Sequence, residues 1–409
     1  MNEIQRLIHE MCPDGVPMVA LGEICEIRGR IGFRGYTRAD QVAEGEGALS
    51  LSPGNITNGV MDYSKGSFIT WKKYEESPEI ITNNGDIIFC KTASCGKVAI
   101  VKNLPYKATI NPQLVVLKNV ACPVPYLYYY LSSNSIQECV KKLQGVGSVP
   151  NISQATLSSF QIPFPPLTIQ QRIVDILDKF TSLVSSLDSE IALRQKQYEF
   201  FRNKLLSFEE GDEGVEWKPL DSICEIRGRI GFRGYTREDQ VSKGEGVISL
   251  SPGNIVAGKI DYESCTYITW AKYEESPEIK IFNGDILFCK TGSTVGKVTM
   301  VESLPCEATI NPQLVVLKNI QINSIYLKQY LATAKLQTQV KALAGVGSVP
   351  NISQAKLGNL IIPVPSSAEQ QHIANLLDTF ESLLTNLKKE RELRQKQYEY
   401  HREKLLTFA

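Results

Sequence analysis

Two patterns of apolar residues alternate along the chain. Over residues 18–166, and again over 217–366, short apolar runs such as Asp86–Cys90, Val98–Val101 and Leu114–Leu117 lie between the turn signals SPGN, NNGD and NPQ. Brief β-favouring runs bounded by Gly, Pro and Asn predict strands. One helix is predicted near Tyr126–Leu143, where Leu, Tyr, Ile and Val fall at helical spacing. These segments predict an α/β domain with much antiparallel or mixed sheet.

The second pattern has apolar positions four and three residues apart. It runs through Ile173, Leu177, Phe180, Val184, Leu187, Ile191, Arg194, Tyr198, Phe201, Leu205 and Phe208, and recurs from Ile373 through Leu377, Phe380, Leu384 and Leu387 to Tyr398, Leu405 and Phe408. A 3.5-residue period held over several heptads is a coiled-coil seam. At about 1.5 Å per residue each helix is on the order of 60 Å long. Pro163, Pro165 and Pro166 end the preceding strand, and Thr168 with Gln171 predicts a capping box, as does Ser367 with Gln370. Two matching seams in one chain are expected to pack on each other, antiparallel.

The alternation arises because the chain repeats itself. Residues 24–38 and 223–237 both read ICEIRGRIGFRGYTR, and LSPGNI, YEESPEI, INPQLVVLKN, GVGSVPNISQA and LRQKQYE each recur. The offset is 199 (Arg28 to Arg227) and becomes 200 after one residue inserted in a Gly/Ser stretch, where a loop tolerates it. Solenoid repeats are about 20–50 residues, so this is a duplicated domain. The division reads as an N-terminal helix (1–16), a globular domain (17–166), a long helix (167–208), an acidic linker (209–216), a second domain (217–366) and a second long helix (367–409). Glu213–Glu216 resembles the Pro13–Val16 region, so a circular arrangement with a pseudo-twofold repeat and neighbouring termini is expected.

Charge narrows the chemistry. Lys+Arg and Asp+Glu are both 44, so the chain cannot coat nucleic acid indiscriminately, and any such contact needs locally concentrated charge. The ten cysteines form no CxxC pair and there are only three histidines, which argues against zinc and for reduced, buried thiols in a cytoplasmic protein. The N-terminus does not read as a signal peptide, and no apolar stretch approaches the roughly 18 residues a membrane span requires.

The most unusual local signal is the segment from Arg28 to Arg38. Arg28, Arg30, Arg34 and Arg38 interleave with glycines, Phe33 and Tyr36, and Arg227, Arg229, Arg233, Tyr235 and Arg237 repeat them. Arginine forks suit guanine edges and phosphates, and glycines let the backbone approach closely. Lys91 and Lys97, with Lys290 and Lys297, are candidate phosphate contacts, although Val follows each Gly-Lys and no Walker spacing exists. Asn151 and Asn351, in the repeated SVPNIS loop, either touch bases or cap a turn. Lys280 after Pro277 has Ile81 at the matching place, which argues against a nuclease. Asn111-Pro-Gln lacks the second proline and aromatic of an adenine-methyltransferase motif, and no glycine-rich cofactor motif precedes a helix.

The whole chain resembles the specificity subunit of type I restriction–modification systems. The resemblance rests on Cys12–Val16, on Gly85–Phe89 and its copy Gly284–Phe288, on the Ile162–Leu167 segment leading to Gln170–Gln171, and on Leu193–Tyr198, in duplicated order. It implies two target-recognition domains, each reading half of a split site on double-stranded DNA, and no catalytic residue or cofactor in this chain. Two modification subunits using S-adenosylmethionine, and restriction subunits using ATP and Mg, are the implied partners. The outward apolar residues Ile176, Leu183, Leu376 and Leu383 are expected to receive the modification subunits. Recognition domains within one chain normally differ, whereas these are nearly alike, so an interrupted palindrome is expected. The competing reading is a stand-alone adenine methyltransferase with built-in recognition domains.

Overall fold

The computed structural model describes residues 3–30, 37–143, 150–229, 236–256, 258–345 and 349–408. The chain forms two compact units, one of Met1–Asp188 with Glu390–Ala409 and one of Ser189–Lys389.

In the first unit a four-stranded antiparallel sheet has the order Val98–Ile100, Ile87–Cys90, Leu114–Lys118, Glu26–Arg28. A five-stranded sheet runs Gln41–Val42, Ser67–Ile69, Ala48–Leu51, Ala108–Ile110, Ile81–Thr82, with Ala48–Leu51 and Ala108–Ile110 parallel. The mixed α/β class expected from the sequence is therefore present. Strand Ile87–Cys90 is apolar throughout because both its faces are covered. Ile87 and Phe89 join a core made with the helices. Ile88 and Cys90, pointing the opposite way, join the core against the five-stranded sheet. Each such side chain contributes about 1.5–3 kcal/mol by leaving water.

The single helix expected over Tyr126–Leu143 is two, Val124–Leu131 and Asn134–Leu143. Ser132 Oγ donates to the Tyr128 carbonyl (2.8 Å) and Ser133 N to that of Tyr130, closing the first helix with a turn. The apolar spacing hides the break because both pieces face one core. The N-terminal helix Glu3–Met11 adds Ile4 to that core beside Leu405 and Leu406, and Arg172 pairs with Glu3 (2.8 Å). The opposite ends of the chain thus share one interior, as the circular reading anticipates.

The second unit repeats both sheets, with strands Ile286–Cys289 and Leu314–Lys318 central in one and Val247–Leu250 and Ala308–Ile310 in the other. Both units draw on the long helices Leu167–Leu205 and Ser367–Leu406. In the first unit Phe180 stacks on His401 (4.9 Å) and Arg391 pairs with Asp188 (2.9 Å); in the second Phe201 stacks on Phe380 (5.6 Å). One residue number rises as the other falls, so the segments run antiparallel within each unit. Ile173, Leu177, Val184 and Leu187 are buried, as are Ile373, Leu377 and Leu384, which is the expected seam. Arg194 and Arg394 stay compatible with it by pairing along their own helices, with Glu190 and Glu390.

The helix starts differ from expectation. No Thr168–Gln171 box forms: the Pro166 carbonyl accepts from Ile169 N and Gln170 N, and Gln171 bonds Asp175 (3.0 Å). Gln170 Nε2 donates to the Pro165 carbonyl (2.7 Å) and Gln370 Nε2 to that of Pro365 (2.8 Å), which ties each helix start to the proline segment before it. Ser366 Oγ, one residue before the expected Ser367, accepts from Glu369 N (3.2 Å).

Candidate nucleic-acid interface

The arginine segment leaves the four-stranded sheet from its edge strand Glu26–Arg28, where Arg28 lies opposite Val116. Gly29 sits in a tight place: a Cβ there would stand 2.8 Å from Gln154 Nε2 and 3.1 Å from Val115, so both side chains would have to shift, and Gly228 repeats this against Gln354 and Val315. Arg28, half exposed, donates Nε and Nη2 to Glu26 Oε2 (3.1 and 2.7 Å), and Arg227 holds Glu225 the same way. Those bonds, with one from Asn119, hold the Glu26 carboxyl below its usual range. An exposed pair of this kind is weak, so Arg28 can exchange its partner for a phosphate at little cost.

Arg30 and Arg229 are placed otherwise. They are only 8% and 7% exposed, and Nε of each donates to a carbonyl of the five-stranded sheet, Ile110 O (3.2 Å) and Ile310 O (3.3 Å). They tie the two sheets of their unit together rather than standing on open surface. Arg34, Tyr36, Arg233 and Tyr235 lie outside the described residues. Arg38 and Arg237 are exposed at the start of single 3-10 turns. There Thr37 N donates to Asp40 Oδ2 (2.7 Å), and this bond is the main cause of the lowered Asp40 pKa.

The remaining polar candidates stitch loops. Thr92 Oγ1 donates to Asn151 Oδ1 (2.8 Å) and Thr291 Oγ1 to Asn351 Oδ1 (2.6 Å), while the Lys91 carbonyl accepts from Ile152 N and that of Lys290 from Ile352 N. Lys97 Nζ donates to the Pro53 and Ile56 carbonyls (both 3.4 Å) and Lys297 Nζ to that of Ile255 (3.1 Å). These contacts fix the loop beside the arginine strand.

A tryptophan for which the sequence predicted no role lies close in structure to the Arg38–Asp40 turn, and another to its copy. Trp71 and Trp270 open short helices capped by Thr70 and Thr269, and their side chains are 42% and 49% exposed. Thr70 N donates to the Asp40 carbonyl (3.0 Å), and Thr269 N to that of Asp239 (2.9 Å), which seats each indole next to the exit of its arginine segment. The recurrence of TW-x-KYEESPEI was the available signal.

On the long helices Leu183, Leu376 and Leu383 are 40%, 38% and 40% exposed, while Ile176 is half-buried against the first unit's core. Among the described residues no three His, Cys, Asp or Glu side chains converge to hold a metal. None of the helices there is long and apolar enough to cross a membrane. The cysteines are free thiols, and burial pushes Cys25 and Cys224 up to about 12, leaving them unreactive at neutral pH.

Comparison with known proteins converges on this arrangement. The chain matches the type I restriction modification DNA specificity domain over residues 13–193 and 212–395. It is 33% identical over 295 residues to the EcoR124I/EcoR124II specificity subunit of Escherichia coli, covering 69% of this chain and 70% of that one. A putative type I specificity subunit of Haemophilus influenzae is 27% identical over 303 residues, covering 69% and 72%. The fold is shared with a chain solved in work on assembly and conformational transition of the type I restriction–modification system (TM-score 0.60, 18% identity, 96% of this chain and 97% of that one). It is shared too with the S subunit of M. genitalium (TM-score 0.56, 17% identity, 96% of each). A duplicated domain match covering most of the chain decides against a stand-alone methyltransferase: the protein belongs to the type I restriction–modification specificity subunit family, the non-catalytic DNA-recognition component of those systems.

Proposed function

We propose that the two units read two half-sites of the same sequence, arranged as an interrupted palindrome, and direct adenine methylation at that site. The observation that carries this is the identity of residues 24–38 with 223–237. Side chains of one kind held in one backbone frame read the same bases, and a twofold protein mirrors a palindromic site. Two modification subunits bearing S-adenosylmethionine would dock on the exposed leucines of the long helices. Restriction subunits would add ATP- and Mg-dependent cleavage in the cytoplasm, with no cofactor held by this chain. Mapping methylated adenines in a host expressing this chain with its modification subunits tests the reading. The expected result is one split motif with inverted, equal halves; two unrelated halves or a direct repeat would overturn it.

A further inference from the structure

The tryptophans of the TW-x-KYEESPEI segments are the largest side chains that each unit leaves exposed beside its arginine segment. Burying an indole is strongly favourable, and a soluble domain that keeps the same one exposed in both copies forgoes that gain twice. Packing does not explain the exposure. Each ring touches a neighbouring tyrosine edge-on, Tyr74 at 5.8 Å and Tyr273 at 5.9 Å, and its outer part stays open.

The surroundings of the two indoles differ in charge. In the first unit Lys107 Nζ lies 5.7 Å from the Trp71 ring centre, and exposed Lys72 follows Trp71 in the chain. The matching positions in the second unit are Glu307 and Ala271, both exposed. Lys280, which that unit has instead of Ile81, is already engaged with Glu274 (2.6 Å) and over the Tyr273 ring (4.3 Å). An exposed indole near an exposed arginine, with one ammonium group over its ring in the first unit, complements a sugar–phosphate backbone with its base edges.

We propose that Trp71 and Trp270 are DNA-contacting residues, each packing its indole on the sugar or base surface of its half-site. Lys72 and Lys107 add two phosphate contacts that only the first unit makes. This rests on the DNA-reading function proposed above. The half-sites are then equal in sequence but unequal in grip: the first unit supplies more of the salt-sensitive affinity.

The test uses the full chain assembled with its modification subunits and a duplex carrying the motif found by methylation mapping. With 5-bromodeoxyuridine placed through each half-site, photocrosslinks should map to Trp71 and Trp270. Trp71→Ala should weaken cognate binding on the order of 10- to 100-fold, the range of one lost aromatic stack, and Trp71→Phe should restore most of it. Lys72→Ala with Lys107→Glu should lower the slope of log affinity against log salt by about 2, near 0.9 per phosphate, and Ala271→Lys with Glu307→Lys should raise it equally. Cognate affinity unchanged by Trp71→Ala and Trp270→Ala, with no crosslink to either, would overturn the inference and leave the DNA-reading function standing. Unmoved salt slopes in both lysine variants would overturn the unequal grip. A wild-type complex that does not distinguish the motif from random duplex would overturn both.

Discussion

In the second unit Tyr198, from the first long helix, shares its hydroxyl between Gln329 Oε1 and Glu381 Oε1, both at 2.7 Å, and Lys328 Nζ pairs with Glu381 Oε2 at 2.8 Å. In the first unit the matching tyrosine is Tyr398, and Tyr128, Tyr129 and Thr181 stand where Lys328, Gln329 and Glu381 stand in the other. There Tyr129 donates to Asp178 (2.5 Å) and its ring centre lies 6.3 Å from that of Tyr398. One joint is a charged network, the other an aromatic cluster, and both fasten a domain to the same helix pair. The fold therefore accepts unlike side chains at a demanding interior position. Arg28 and Arg38, both exposed and little constrained by packing, are nevertheless the same in the second unit as Arg227 and Arg237, which a common ligand accounts for.

Four measurements can break or sharpen this contrast. The largest effect is expected from Lys328→Met, which strands the Glu381 carboxylate in a partly buried site and should cost about 2–3 kcal/mol. Hydrogen exchange should quicken in Ser324–Leu331 and not in Val124–Leu131; equal change in both would make the joints equivalent. Next comes acid. Burial alone would raise the Glu381 pKa, but Lys328, Tyr198 and Gln329 outweigh it and hold it below its ordinary value. The folded-state pKa is depressed, so this stabilisation is present above the unfolded carboxyl pKa, about 4.3, and is lost as pH falls through the folded value. Exchange in the second unit's helix should therefore accelerate on acidification in wild type and not in Glu381→Gln. Tyr398, raised to about 12 chiefly by burial, has the opposite sign: its contribution is complete below pH 10 and fades toward 12. Third, Tyr129→Phe removes one bond to a carboxylate and should cost about 1–2 kcal/mol in the first unit, read by the same exchange experiment. Smallest in stability is Arg28→Ala, which should leave the melting temperature close to wild type because its Glu26 pair is exposed. A larger stability loss would make Arg28 structural, whereas an intact fold with weakened cognate binding supports its place at the interface.

Much of this was legible in residue spacing. The seam through Ile173, Leu177, Val184 and Leu187 could be read because helix periodicity is local, and strand Ile87–Cys90 because two-faced burial demands an unbroken apolar run. What could not be read depends on groups distant in sequence. The burial of Arg30 is decided by the Ile110 carbonyl 80 residues away. Trp71 is exposed, against the ordinary expectation for tryptophan, at the start of a helix tied by Thr70 N to the Asp40 carbonyl 30 residues before it. The helix starts differ for a simpler reason: the Pro166 carbonyl in one copy and the Ser366 hydroxyl in the other accept from the first free N–H groups, so Thr168 and Ser367 are not the caps.

The division of the long helices bears on the order in which the protein is made. The second unit is one continuous stretch, Ser189–Lys389, and can close as soon as that stretch has left the ribosome. The first unit needs Glu390–Ala409, translated after the whole second unit, to supply Tyr398, Leu405 and Leu406 to its core. The domain synthesised first is thus the last to be completed. At about 5–20 residues per second it waits on the order of ten seconds or more with apolar surface uncovered. A ribosome that stops just before Glu390 would release a chain whose later-made unit is sound and whose earlier-made unit is open.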